Sequence, residues 1–520
     1  MKHLNKILAL ALALIMVLGL ATSVSAAQIT IDDDKVENAE YGAYKLLDAI
    51  DLGDGKFSYT VNEKYRTALQ GIVGASATDE EIIAYIDAQD TADETRAFAD
   101  AIYEKIKNLG VDYEAENNVF ADVAQGYYLI VETETGSAEG FEEDTVSLVM
   151  LDTAGKTSVT VETKEELPKS DKKVKDSNDS TPETSDWQDS ADHDIGDAVP
   201  FKITFTLPSD YAKYDHYFVG IHDVQADGLT YNNDMKVMVG DEEITGWFDD
   251  AITDCNKCTF HIACNDIVAA AEAAKVSLKG GDVITFTYTS TLNEDAEFGA
   301  TGNPNEMTIE FSNDPYGDGT SETPKDKVIV FTYKVNVDKV TEGENGTNVP
   351  LSGAGFTLYK EVPSTAEDAQ KGADIKEKLG DNIKADALAD DKYYIVVSNT
   401  ETDAEGDTFG FNGVDDGIYV LVETQVPAGY NAWDAVEFEI AADHEEDSDD
   451  PALISLTGGD LVTGEFKDTG IIATEIENNA GIELPSTGGI GTTIFYVVGG
   501  MLAVAAVVLL ITKKRMASAE

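Results

Sequence analysis

Cysteine is nearly missing from this chain: three residues in 520, all within the stretch CNKCTFHIAC. A disulfide framework is therefore excluded as the source of its rigidity. Basic side chains are scarce too, 36 Lys and Arg against 99 Asp and Glu, for a formal charge of −63. Such a surface repels a phosphate backbone, which excludes nucleic acid as a partner. Among six His residues no nucleophile–histidine pairing and no second metal constellation is visible, which argues against an enzyme. What the chain does have is aromatic content, 22 Tyr and 19 Phe, which points to folded β-rich domains rather than a disordered acidic stalk. The acidity suits a solvated surface that keeps copies apart.

Cys255, Cys258, His261 and Cys264 recur every three residues and invite a zinc reading. A strand running from Cys258 to Cys264 would separate its ends by about 20 Å, too far for ligands of one metal. The cluster is read as incidental or as a local disulfide, and neither metal nor cofactor is expected.

The two ends are apolar. Lys2 and Lys6 precede the run from Ile7 to Leu20, and Ser23, Ser25, Ala26 and Ala27 follow, the pattern of a secretory signal peptide cut after Ala26 or Ala27. At the other end Ile494 to Ile511 carries no charge and stops at Lys513, Lys514 and Arg515, as a membrane helix with a basic cytoplasmic flank does. The bulk of the chain is expected outside the cell. The roughly 450 residues between suggest about three domains. Polar, turn-rich seams at Val161–Asp197 and Ser312–Lys327 divide them. The first block, 27–163, mixes strands such as GYYLIVETE with the helical patterns DEEIIAYIDA and ETRAFADAIYEKIKNLG. The second, 164–332, and third, 333–480, alternate with period two in VPFKITFTLP, GDVITFTYTSTLN, NEMTIEFSND and GIYVLVETQVPAGY. One helix is expected near NDIVAAAEAAK. The fold class is mainly β, in tandem sandwiches with some helix in the first.

Several segments resemble one family. LPSTGG, followed by the apolar run and the basic tail, resembles the LPXTG sorting signal of Gram-positive surface proteins. That likeness implies a sortase recognising Leu484 and Pro485, whose cysteine attacks the carbonyl of Thr487 and releases Gly488 onward. SVTVETKEELP resembles the pilin motif V-x-V-Y-P-K, which makes Lys164 the acceptor amine, with Lys169 as the competitor; Glu162-Thr163 stands where the family has Tyr-Pro. YVLVETQVPAGY resembles the pilin E-box, with Val426 in place of alanine. The resemblance implies Cna-B-type sandwiches in which Glu423 promotes an amide bond between Lys339 and Asn478. In the middle block LPKSDKKVKD, IHDVQADGLTY and NEMTIEFSNDP imply a second crosslink between Lys172 (or Lys173) and Asn305, with Asp223 as the acid. The first block has Glu132 in an E-box-like strand but no asparagine between Leu151 and Thr163, so no crosslink is expected there.

On these likenesses the chain resembles the backbone subunit of sortase-assembled pili, of the SpaA and FimA types. That implies a fimbrial, wall-anchored protein with a transient membrane stage. Sortases, further copies of itself and peptidoglycan would be partners, as would accessory pilins or host surface ligands. The alternative is a wall-anchored or pilus-tip adhesin built from the same modules.

Overall fold

The computed structural model describes residues 26–481 except 33–35, 139–140, 142, 163–166, 182–183, 251–256, 398–399 and 403–406. The expected signal peptide up to Ser25, Lys164, Cys255, the LPSTGG segment with Leu484, Pro485, Thr487 and Gly488, and the C-terminal apolar run lie outside the described residues. No described helix is long and apolar enough to cross a membrane. The chain forms two compact units. One holds the described residues up to Ser177 with Glu183–Thr332 and Asp443–Ile454; the other holds Asn178–Pro182, Tyr333–Ala442 and the described residues from Ser455.

The first unit begins with β1 (Ala27–Asp32), β2 (Glu40–Gly53), helices α1 (Arg66–Val73), α2 (Asp79–Asp87) and α3 (Ala92–Ile106), then β3 (Val119–Val123), β4 (Gly126–Glu134), β5 (Leu148–Asp152) and β6 (Ser158–Glu162). β1 runs parallel to β6, with Ile31 opposite Val161, and antiparallel to β3. β2, β4 and β5 form a second sheet. Both faces of that sheet are covered. Leu129 and Val131 of β4 join Leu69, Ile82, Phe98 and Ile102 on the helical side. Tyr128 and Ile130 join Ile29, Phe120 and Val161 on the other. Burial on two faces explains why GYYLIVETE is a continuous apolar run rather than an alternating one. Thr78 with Glu81 and Thr91 with Glu94 form capping boxes that start α2 and α3 where the helical patterns begin. α1 has no such cap, so no local signal marks its start.

The same unit continues with β7 (Lys169–Val174), β8 (Ala198–Thr206), β9 (Val219–Gln225), β10 (Phe260–Cys264), α4 (Ile267–Ala274), β11 (Val283–Leu292), β12 (Asn303–Ser312) and β13 (Asp326–Phe331). β7, β8 and β11 are neighbours in one sheet, and β13, β12, β9 and β10 follow one another in the facing sheet. Alternation sends Phe201, Ile203, Phe205 and Phe286 of the first inward against Ile221, Ile309 and Phe311 of the second. Each such fully buried side chain stabilises the fold by about 1.5–3 kcal/mol. The same period puts Lys172 inward, two residues from buried Val174. The strand expected from Cys258 begins only at Phe260. Cys258, just before it, is disulfide-bonded, and Cys264 is free and buried.

The second unit contains β14 (Tyr333–Glu342), β15 (Gly355–Val362), α5 (Gly372–Leu379), β16 (Thr408–Val414), β17 (Gly417–Gln425) and β18 (Ile471–Glu477). β14 lies between β16, antiparallel, and β18, parallel. β15 and β17 pair in the opposing sheet. Tyr333, Val335 and Val337 point inward from β14, and Lys339 is next in that phase. A lysine is thereby aimed into an apolar interior by strand geometry alone.

Candidate functional site: two buried lysine clusters

Lys339, Glu423 and Asn478 converge in the second unit. β14 and β18 run parallel with Lys339 opposite Ile476, so Asn478, just past the strand, lies beside the lysine. Lys339 Nζ donates to Asn478 Oδ1 at 2.7 Å and to the Ile476 carbonyl at 3.0 Å. Asn478 Nδ2 donates to Glu423 Oε1 at 2.7 Å. The backbone N–H of Trp433 donates to the other carboxylate oxygen at 2.8 Å and fixes its plane. Lys339 Nζ also stands 3.6 Å from Glu423 Oε1, and all three residues are buried. Burial pulls the Lys339 ammonium down to about 8, partly opposed by nearby Glu423. About a tenth of the amine is thus neutral at pH 7, far more than for an ordinary lysine.

A second cluster occupies the middle of the first unit. Lys172 Nζ lies 2.5 Å from Asp223 Oδ2, both fully buried. Desolvation depresses the lysine, partly opposed by Asp223. Lys172 makes no hydrogen bond to Asn305. The hydroxyl of Tyr288 stands between them: it accepts from Lys172 Nζ at 3.0 Å and from Asn305 Nδ2 at 3.0 Å, and donates to Asp223 Oδ2 at 2.7 Å. Gln225 Nε2 donates to the other Asp223 oxygen at 2.9 Å, and Ser290 holds Gln225 in turn. Burial pushes the Tyr288 hydroxyl far above its usual range, with Asp223 adding to the effect. Asn305 Oδ1 is buried without a hydrogen bond, an arrangement that normally costs about 1–3 kcal/mol. This cluster bridges the two sheets, whereas Lys339 and Asn478 sit side by side in one.

Tyr288 and Gln225 were not singled out in the sequence. The available signal was a tyrosine at an inward position of GDVITFTYTSTLN, since a buried hydroxyl needs a partner. Lys173, the alternative to Lys172, faces outward and pairs with Asp189 at 2.5 Å. Lys169, the alternative to Lys164, is exposed at the start of β7, opposite Thr206.

Glu132 on β4 is buried beside a second carboxyl, Asp144. Burial first and Asp144 second push it up to about 9. Among the described residues no lysine pairs with it. In the second unit Lys360 and Asp415 form a further buried ion pair at 2.6 Å. Tyr419, the first residue of the E-box-like segment, donates to Asp415 Oδ1 at 3.0 Å. Tyr419 and Glu423 are four residues apart on one strand and therefore share its inner face.

Comparison with known proteins places residues 334–450 in the SpaA family, described as a prealbumin-like fold domain, and residues 476–518 in the LPXTG cell wall anchor motif family. The trypsin-resistant surface T6 protein of Streptococcus pyogenes serotype M6 is 22% identical over 379 residues, 62% of this chain and 65% of that protein. This chain thus matches about two thirds of the length of that relative. The solved T6 backbone pilin of serotype M6 S. pyogenes is similar at 16% identity and TM-score 0.49, covering 88% of this chain and 98% of that one. The full-length major pilin SpaD of Corynebacterium diphtheriae is similar at 18% identity and TM-score 0.46, with the same coverages. The chain carries a SpaA-family prealbumin-like domain, the one that holds Lys339 and Glu423, followed by an LPXTG cell wall anchor motif.

Proposed function

We propose that this protein is a structural backbone subunit of a covalent surface polymer, anchored at the cell wall and stiffened by internal lysine–asparagine amide bonds. The observation that carries the proposal is the buried Lys339–Asn478–Glu423 cluster in a chain that ends in a wall-anchor motif. Neutral Lys339 Nζ attacks Asn478 Cγ; the new C–N bond replaces the Cγ–Nδ2 bond, and ammonia leaves. Glu423, already bonded to Nδ2, is placed to take the proton from the amine and pass it to the departing nitrogen. The carboxylate is regenerated, so the step is a single self-modification rather than turnover. Lys172 and Asn305 undergo the same exchange with Asp223 as the acid, the Tyr288 hydroxyl relaying the proton between them. The anchor motif supports sortase cleavage after Thr487, with the acyl group passing to Lys164 of the next copy or, at the base, to peptidoglycan.

Gel electrophoresis of wall extracts in SDS tests this reading. The expected result is a ladder of high-mass multimers that vanishes in Thr487→Ala. A single wall-linked species from the wild-type chain would overturn it.

A further inference from the structure

The outer face of the β12–β9–β10 sheet carries His222, His261 and Glu310 on three adjacent strands. His222 is directly opposite His261, and Glu310 is opposite Gly220, two residues from His222 on the same face. One nitrogen or oxygen from each lies within 4.8 Å of the others. The imidazole rings stack at 4.2 Å between centroids, 19° from parallel. Gly220 leaves space beside them: a Cβ there would sit 3.1 Å from His261 Nε2 and 2.9 Å from the Phe218 ring.

The tautomer of His222 follows from its neighbours. Nδ1 lies 3.6 Å from Sγ of Cys258, which is disulfide-bonded. A disulfide sulfur can accept a hydrogen bond but has none to donate, so Nδ1 carries the hydrogen. The Nε2 lone pair then faces Glu310 Oε2 at 3.5 Å. Nε2 is buried and makes no hydrogen bond. A lone pair opposed to a carboxylate is stable only with a cation between them, either a proton or a metal ion.

We propose that His222, His261 and Glu310 form a site for a divalent transition-metal ion of the zinc class. Two imidazoles and one carboxylate are a ligand set such ions favour, with a fourth position left for a water molecule. Ligand atoms of a tetrahedral ion lie about 3.4 Å apart for bonds near 2.1 Å. An imidazole binds through a lone pair in its ring plane, so closure from 4.8 Å requires one of the two stacked rings to turn out of the stack as well as to approach. The strand pairing supplies the remaining order. The cysteine-rich segment contributes only His261 to this site; the other ligands come from two neighbouring strands.

The test uses Co2+ as a spectroscopic probe on the full-length chain purified without a histidine tag. One equivalent of Co2+ should give visible d–d absorption that Zn2+ abolishes and Ca2+ does not, because the many surface carboxylates favour the harder ion. His222→Ala should remove the absorption, and Glu310→Gln should weaken binding by about tenfold or more. Both variants lie on the outer face, and matching metal-free melting curves would show that they fold. Absence of the bands in the wild-type chain, or equal bands in both variants, would overturn the site and leave a protonated His222–Glu310 ion pair.

Discussion

Lys339 Nζ, on β14, and Asn478 Oδ1, just past the end of the parallel strand β18, are 2.7 Å apart although 139 positions separate them in the chain. A bond between these side chains would fasten the first strand of the domain to its last. Tension entering through one end of the domain would then leave through the other by way of the amide, without peeling the strands in between.

Glu423→Ala should uncouple this bond from the other one. The intact mass of the wild-type chain is expected to fall short of its calculated value by two molecules of ammonia, and that of Glu423→Ala by one. Closing a 139-residue separation is worth about 5 kcal/mol in the chain-entropy account. Loss of the bond should therefore lower the melting temperature of that domain by on the order of 10–20 °C. A variant that retains both ammonia losses would show that Glu423 does not participate.

Tyr288→Phe removes the hydroxyl that links Lys172, Asp223 and Asn305 and leaves the ring in the core. The Lys172–Asn305 bond should form slowly or not at all, while the Lys339–Asn478 bond is unaffected. Tryptic peptide mapping reads the two separately. An unchanged Lys172–Asn305 peptide in Tyr288→Phe would limit the hydroxyl to a packing role.

Asn478→Leu leaves Lys339 as a free amine, and its pH dependence follows from the lowered value of about 8 against the ordinary 10.5. Between these values the unfolded chain binds more protons than the folded one, so stability must rise with pH across that window. The crosslinked wild-type chain has no amine to titrate at this position and should lack the rise. Urea midpoints of both proteins at each end of the window measure the difference. Parallel curves would mean that Lys339 is not desolvated as its surroundings require.

The second-unit cluster was legible in the sequence because its parts sit in recognisable strands. Glu423 lies within YVLVETQVPAGY, Lys339 falls in the inward phase of YKVNVDK, and Asn478 closes the last strand. The middle cluster was legible only in part. Lys172, Asp223 and Asn305 could each be placed inward by alternation, but the tyrosine that joins them comes from a fourth strand with no local mark of its role. Lys360 escaped notice because Leu358, Tyr359 and Lys360 are all buried in succession, which breaks the alternation that would have flagged an inward charge. α1 was hidden by its uncapped start. The metal-ligand trio was invisible for the same reason as Tyr288: its members are adjacent only across strands, and register is a property of the folded sheet.

In the proposed polymer one copy is joined covalently to the next through defined atoms. Tandem mass spectrometry of digested wall polymer identifies those atoms. The expected product is a branched peptide in which the Thr487 carbonyl is bonded to the side-chain nitrogen of Lys164, absent from Lys164→Ala. The same branch on Lys169 would move the acceptor five residues along and leave the polymer intact. A polymer without a Thr487-to-lysine branch, or wild-type chains carrying Thr487 only on peptidoglycan, would contradict the claim.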